Sequence, residues 1–183
     1  MGGLEAASGL RRGERAEPQV WSEGRTFPGE FNILPEAVAA DQARREKAQG
    51  TIWTDGSRLG DGSVGVACSW QTEGGWRSRR FFLGSNKEVF DAELYAIYQT
   101  MGTLEAKGQT GRWYTVFSDS QAAIRRAVHD GLGPGQQWAR ATIEAATRIM
   151  VHNNRIWVCW VPARRGIQGN ETADRTAKEA TGG

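Results

Sequence analysis

The chain has 183 residues, 39% hydrophobic and 24% charged, which is one domain's worth of globular sequence with some chain left over. No window of about 18 apolar residues exists to cross a bilayer, and Arg11, Arg12 and Arg15 are followed by no apolar core of a secretory signal, so an intracellular, non-membrane chain is expected. The net charge of +2 hides a split: residues 1–50 carry seven bases and eight acids, residues 51–183 sixteen bases and thirteen acids, and the arginine-rich second part permits a polyanionic partner.

Residues 1–20 are rich in Gly, Glu, Arg and Ala without apolar periodicity and read as a flexible leader or the cut end of a longer protein. From Trp21 to Leu34, the apolar Trp21, Phe27, Phe31, Ile33 and Leu34 lie among Gly and Pro, which suits an arm lying extended against the following domain. Pro35 then suits the first turn of a short polar helix running to about Lys47. The chain thus divides into residues 1–49, a leader or linker with arm and helix, and a catalytic domain at 50–183. In that domain residues 51–57, 63–71 and 75–84 are strand-like runs separated by Gly/Asp and Gly-Gly turns, an antiparallel meander. Phe90, Leu94, Ile97, Met101 and Leu104 recur at spacings of four and three, predicting an amphipathic helix over 88–107 that covers the sheet. A strand at 112–118, helices at 120–130 and 136–152, a strand at 155–161 and a last helix from Asn170 complete a mixed α/β domain whose later strands run parallel to the first. Cys68 and Cys159 each sit in an apolar run with no metal-ligand partner and read as buried free thiols.

Four carboxylates stand where an acid is a poor structural choice. Asp55 ends the run Ile52-Trp53-Thr54-Asp55, and Asp119 ends Val116-Phe117-Ser118-Asp119, so both point into a crevice at the carboxyl ends of strands and share one site if those strands are neighbours. Glu93 has Phe90 three residues before it and Ile97 four after it, on the sheet-facing side of its helix. Asp174, flanked by Ala173 and Ala177, lies on the small-residue face of the last helix. Gathered in one crevice, four such acids repel one another unless cations lie among them. Oxygen ligands without His or Cys select Mg²⁺ or Mn²⁺ over zinc. Two such ions about 4 Å apart serve an in-line phosphoryl displacement, one activating water and the other stabilising the leaving oxygen.

Thr54-Asp55-Gly56-Ser57, Ala92-Glu93-Leu94-Tyr95-Ala96-Ile97, Ser118-Asp119-Ser120-Gln121 and Gly169-Asn170-Glu171-Thr172-Ala173-Asp174, in this order, resemble the ribonuclease H type 1 family over about residues 50–181. The resemblance implies an RNase H-like α/β fold, a five-stranded mixed sheet flanked by helices on both sides. It implies hydrolysis of the RNA strand of an RNA/DNA hybrid, with two Mg²⁺ ions (Mn²⁺ as the alternative) held by Asp55, Glu93, Asp119 and Asp174, leaving a 3′-hydroxyl and a 5′-phosphate. No small-molecule cofactor is implied. The form of the second motif and the short interval from Asp119 to Asp174 look most like domains of non-LTR, fungal-like retrotransposon polyproteins, which implies a reverse transcriptase domain as neighbour. A catalytically weak binding domain of the same fold is the alternative; an integrase is disfavoured because the last acid is Asp174 and the first motif is Asp-Gly-Ser.

Gly56, Ser57, Ser120, Gln121, Arg164 and Asn170 are the candidate substrate contacts. Gly56 would let backbone approach a ribose, Ser57 and Gln121 would offer polar groups to a 2′-hydroxyl, and Ser120 or Gln121 serves equally as a helix cap. Asn170 reads as the N-cap of the last helix. Three departures from the family pattern stand out. Arg164 occupies the usual place of a histidine and, as a guanidinium that stays charged, cannot shuttle protons near neutral pH. Phe90 replaces a substrate-contacting Asn, and the Gly-rich 130–137 connection lacks a basic handle. Among the tryptophans, Trp53, Trp157 and Trp160 read as core, whereas Trp76 and Trp138 are candidates to stack on nucleic acid.

Overall fold

The computed structural model describes residues 24–46, 50–85 and 87–182. The leader, Trp21, the predicted helix end at Lys47 and the terminal Gly183 lie outside the described residues. In chain order the elements are β1 (Glu30–Asn32), α1 (Glu36–Arg45), β2 (Thr51–Arg58), β3 (Ser63–Thr72), β4 (Gly75–Ser85), α2 (Val89–Lys107), β5 (Trp113–Ser118), α3 (Gln121–Ala127), α4 (Gln136–Met150), β6 (Arg155–Trp160) and α5 (Gln168–Thr181). No described helix is long and apolar enough to cross a membrane.

The strands form one sheet in the order β1-β6-β5-β2-β3-β4. The meander β2-β3-β4 is antiparallel, and β2, β5, β6 and β1 pair in parallel. This is the mixed α/β class read from the periodicities, with six strands among the described residues in place of the five expected. The sixth comes from the arm: Phe31 pairs with Val158 on the far edge of β6, and Phe27, 5% exposed, enters the main core. A three-residue strand among Gly and Pro carries no alternation, so the pairing has no local signature. The arm is also pinned by charge, because the Arg25 backbone N–H and guanidinium both donate to the buried Asp130 carboxylate, to which Arg140 lies 3.6 Å away. Pro35 is the residue before α1 and keeps an extended ψ of 145°, one place earlier than expected.

Side-chain alternation along β2 separates two cores. Ile52 faces the α2, α3 and α4 side with Leu94, Ile97, Met101, Val116, Ile124 and Ile143. Trp53 faces the α1 and α5 side, stacked on Phe117 at 4.3 Å between ring centres and packed with Ala40, Ala43 and Ala173. Each fully buried large side chain contributes about 1.5–3 kcal/mol, so the two layers fix β2 and β5 at the centre of the sheet from both sides. Both cysteines are buried and free, as expected.

Candidate active site

The site begins with register. Thr54 of β2 lies opposite Ser118 of β5 in a parallel pair, and the Thr54 hydroxyl donates to the Phe117 carbonyl at 2.8 Å. The next residues along each strand are Asp55 and Asp119, so two acids distant in sequence become neighbours by strand pairing alone. Asp119 follows the end of its strand as expected, but Asp55 does not end β2. That strand continues to Arg58 against β3, and the crevice opens where β5 stops while β2 runs on.

Glu93 arrives from the helix. A Cβ on Gly56 would lie 2.7 Å from the backbone of Ala92 and Glu93, so only a bare α-carbon admits α2 this close to β2. The Gly56 N–H then bonds the Glu93 carboxylate. The open side of Gly56, expected to admit a ribose, is instead filled by α2. Ligand oxygens of Asp55, Glu93 and Asp119 all lie within 4.8 Å of one another. Asp174 stands at the rim of this cluster on α5, where its Oδ2 accepts from the Lys178 ammonium at 2.7 Å while its charge still acts on Asp55 and Asp119. Three of the four predicted acids are therefore in mutual ligand range, and the fourth is held beside them by a lysine one turn on.

Burial, reinforced by the Asp119 charge, pushes the Asp55 carboxyl up to about 8, against a hydrogen bond from Glu93 that favours ionisation. Burial and the charges of Asp55 and Asp119 raise Glu93 well above the carboxylate range, and burial raises Asp119. Glu93 Oε2 is buried with no hydrogen-bond partner among the described residues. An all-oxygen donor set with an unsatisfied buried oxygen fits a hard divalent cation, which would replace the protons these acids otherwise hold.

A stability prediction follows. These carboxyls deprotonate near pH 4 in the unfolded chain but retain protons in the folded one, so between about pH 4 and 8 the native state binds more protons and stability falls as pH rises. Chemical denaturation in EDTA is expected to give a midpoint that drops from pH 5 to pH 8, and added Mg²⁺ to abolish that slope. A midpoint constant or rising across this window without metal would contradict the cluster's electrostatics.

Asn170 differs from its expected role. The helix starts two residues earlier, with Ile167 as the N-cap residue, so Asn170 lies inside α5, 4% exposed, and its amide bonds the Asp119 carboxylate. Gly169 lies in the first turn despite its poor helix propensity, because a Cβ there would lie 2.0 Å from the Trp53 ring. Ser120 is the cap of α3, its hydroxyl accepting from the Ala123 N–H at 3.1 Å, and Gln121 begins that helix with its amide oxygen toward Arg125. Ser57 is buried in β2 opposite Gly65. Arg164 is exposed, holds a left-handed φ of 58°, and places its charge near Lys178.

Two residues escape the sequence reading. Lys178 is legible as a basic residue four places after Asp174 on one helix face. Arg126, which reads as a solvated charge, donates to the carbonyls of His129, Gly131, Gly133 and Pro134 and so staples the Gly-rich connection; nothing local announces that.

The RNase H family profile matches residues 47–182. Similar solved structures include an RNase H1 from the halophilic archaeon Halobacterium salinarum (19% identity, TM-score 0.53, covering 71% of this chain and 95% of that one). The N-terminal RNase H domain of a Mycobacterium tuberculosis protein, solved as a maltose binding protein fusion, is 20% identical with a TM-score of 0.55 over 72% of this chain and 97% of that one. LC11-RNase H1, solved in complex with an RNA/DNA hybrid, is 20% identical with a TM-score of 0.57 over 72% and 96%. At these identities the likeness is one of fold. No curated protein matches the chain significantly.

Proposed function

The chain belongs to the RNase H family and is a ribonuclease H, and we propose that it cuts the RNA strand of RNA/DNA hybrids to leave a 3′-hydroxyl and a 5′-phosphate. The observation that carries this reading is the Asp55, Glu93 and Asp119 cluster with its buried, unpartnered Glu93 oxygen. Asp55, Glu93 and Asp119 would hold a divalent cation, Mg²⁺ by donor chemistry with Mn²⁺ as the alternative, and Asp174 would complete the set for a second. Such cations supply neutralising charge for the carboxylates and Lewis acidity toward phosphate oxygens. In the reaction the oxygen of water bonds to phosphorus as the P–O3′ bond breaks; the 3′ oxygen leaves with the bond pair and acquires a proton, and water's proton goes to solvent.

The chain's own residues hold the acids for that step. Gly56 admits α2 and donates to Glu93, Asn170 orients Asp119, and Lys178 neutralises Asp174. Ser57 and Gln121 are the proposed polar contacts to the RNA 2′-hydroxyl, while Ser120 positions Gln121 by capping α3. Support for a hybrid substrate comes from the similar structure solved with one bound.

The test is a labelled hybrid incubated with Mg²⁺, with Mn²⁺ and with EDTA. Metal-dependent cutting confined to the RNA strand, with 5′-phosphate ends, is the expected result. Binding without cutting would replace this reading with that of a binding domain, and cutting or joining of duplex DNA would replace it with an integrase.

Arg164 is proposed to bind the scissile or product phosphate. A non-Gly left-handed residue at an exposed turn costs about 1–2 kcal/mol, a strain that a functional position retains. Arg164→His is expected to add an inflection near pH ~6.5 to the kcat profile that the parent lacks. Superimposable profiles would remove Arg164 from the reaction. The biological setting is proposed to be an intracellular retrotransposon polyprotein with a reverse transcriptase domain as neighbour, supported by the form of the Ala92–Ile97 motif; sequencing the flanking reading frame tests it.

A further inference from the structure

A second feature lies at the other end of β2 from Asp55. The β2–β3 ladder ends at Trp53 opposite Ser69, whereas β3 and β4 remain paired out to Thr72 opposite Gly75. The sheet therefore forks, and a cleft of about 1000 Å³ occupies the fork. Its lining includes Trp53, Trp70 and Trp76 together with Arg44, Lys107 and Arg112. Trp70 packs with the α2-side core and Trp76 with the α5-side core, so one half-buried indole stands on each face of the sheet at the fork. Lys107 Nζ lies 5.0 Å from the centre of the Trp70 ring, and Arg112 is exposed. Two acids, Glu46 and Glu73, also line the cleft, leaving its described lining with an excess of positive charge. One wall is α1, through Ala43 and Arg44, and α1 precedes the span matched by the family profile.

We propose that this cleft binds a few nucleotides of single-stranded nucleic acid. Flat indoles beside guanidinium and ammonium groups satisfy the two requirements of such a site, a stacking surface for bases and cations for the backbone. In a duplex each base face is covered by its neighbours, so the indoles select an unpaired strand over a hybrid. The site is separate from the carboxylate cluster and independent of the hydrolytic reading, because binding needs no divalent cation.

The test uses the full chain in EDTA with an eight-nucleotide oligo(dT) or oligo(U), read by indole fluorescence and by anisotropy of a labelled strand. Saturable quenching that weakens with salt is expected. Arg112→Glu and Trp76→Leu are each expected to weaken oligonucleotide binding about tenfold, as expected for one stacking or ionic contact, while the rate on a blunt hybrid with Mg²⁺ is unchanged. Tripolyphosphate, which carries charge without bases, is expected to compete poorly. If Trp76→Leu fails to fold, Arg112→Glu at its exposed position decides alone. Absence of saturable binding, affinity unchanged by Arg112→Glu, or tripolyphosphate competing as well as the oligonucleotide would each overturn the proposal.

Discussion

Asp55→Asn is expected to reduce hybrid cleavage about 10³-fold or more while making the cation-free protein harder to unfold at neutral pH. The two effects have one cause. Asp55 is 3% exposed, its carboxyl is pushed to about 8 by burial and by Asp119, and it is the acid whose ionisation the fold opposes most directly among the aspartates of the cluster. At pH 7 the folded protein must either keep a proton on it or suffer repulsion from Asp119 and Asp174. Asparagine keeps the shape, removes the charge and removes an anionic ligand. Each pKa unit corresponds to about 1.4 kcal/mol, so relief of about 2 kcal/mol is a cautious expectation, or roughly 4–8 °C in melting temperature for a chain of this size. Melting in EDTA and in Mg²⁺ measures it: the parent should gain more from Mg²⁺ than the variant does. A variant that is inactive and also less stable than the parent in EDTA would show that Asp55 is held by favourable contacts, and the electrostatic picture would fail.

Gly56→Ala is expected to lower cleavage about 10²-fold without altering any carboxylate. In an exposed strand the change from Gly to Ala stabilises by up to about 1 kcal/mol, so the sign of the effect is informative. Here the new methyl would meet the backbone carbonyl carbon of Ala92 and the amide nitrogen of Glu93 at 2.7 Å, and a helix backbone cannot rotate out of the way as a side chain can. The first turns of α2 must therefore shift, at about 1–3 kcal/mol, and carry Glu93 with them. The loss should appear in kcat and in the Mg²⁺ concentration needed for half activity, with little change in hybrid KM. Gly60→Ala is the control, because no atom lies within 4 Å of the place its methyl would take: the rate should not move, and stability should hold or rise slightly. Parent-like activity in Gly56→Ala would mean that the approach of α2 to β2 does not set the position of Glu93.

These two positions also mark how far the amino-acid order alone can be read. Asp55 and Glu93 are legible because an ionisable group inside an apolar run, or on the buried face of a 3.6-residue period, contradicts its surroundings, and that contradiction is local. The strands, the long helix and the mixed fold class are legible for the same reason, since periods of two and 3.6 are properties of neighbouring residues. Gly56 stands out in the sequence, but its neighbour does not. What fills the space beside a missing side chain depends on a helix that begins more than thirty residues later. Asn170 reads as a cap because Asn is a favoured N-cap residue, and only the Trp53 ring lying against Gly169 explains a glycine within the first turn.

The one-dimensional order by itself determined which acids are candidates for the chemistry and which elements hold them, through patterns confined to a few turns or a few strand positions. Tertiary structure alone decided the parallel register that sets Asp55 beside Asp119, the rim position of Asp174 against Lys178, the sixth strand added by the arm, and the fork beneath Trp53. Each of these is a contact between segments far apart in the chain, fixed by packing and by the pairing of backbone groups that are the same in every residue, and so without a local imprint.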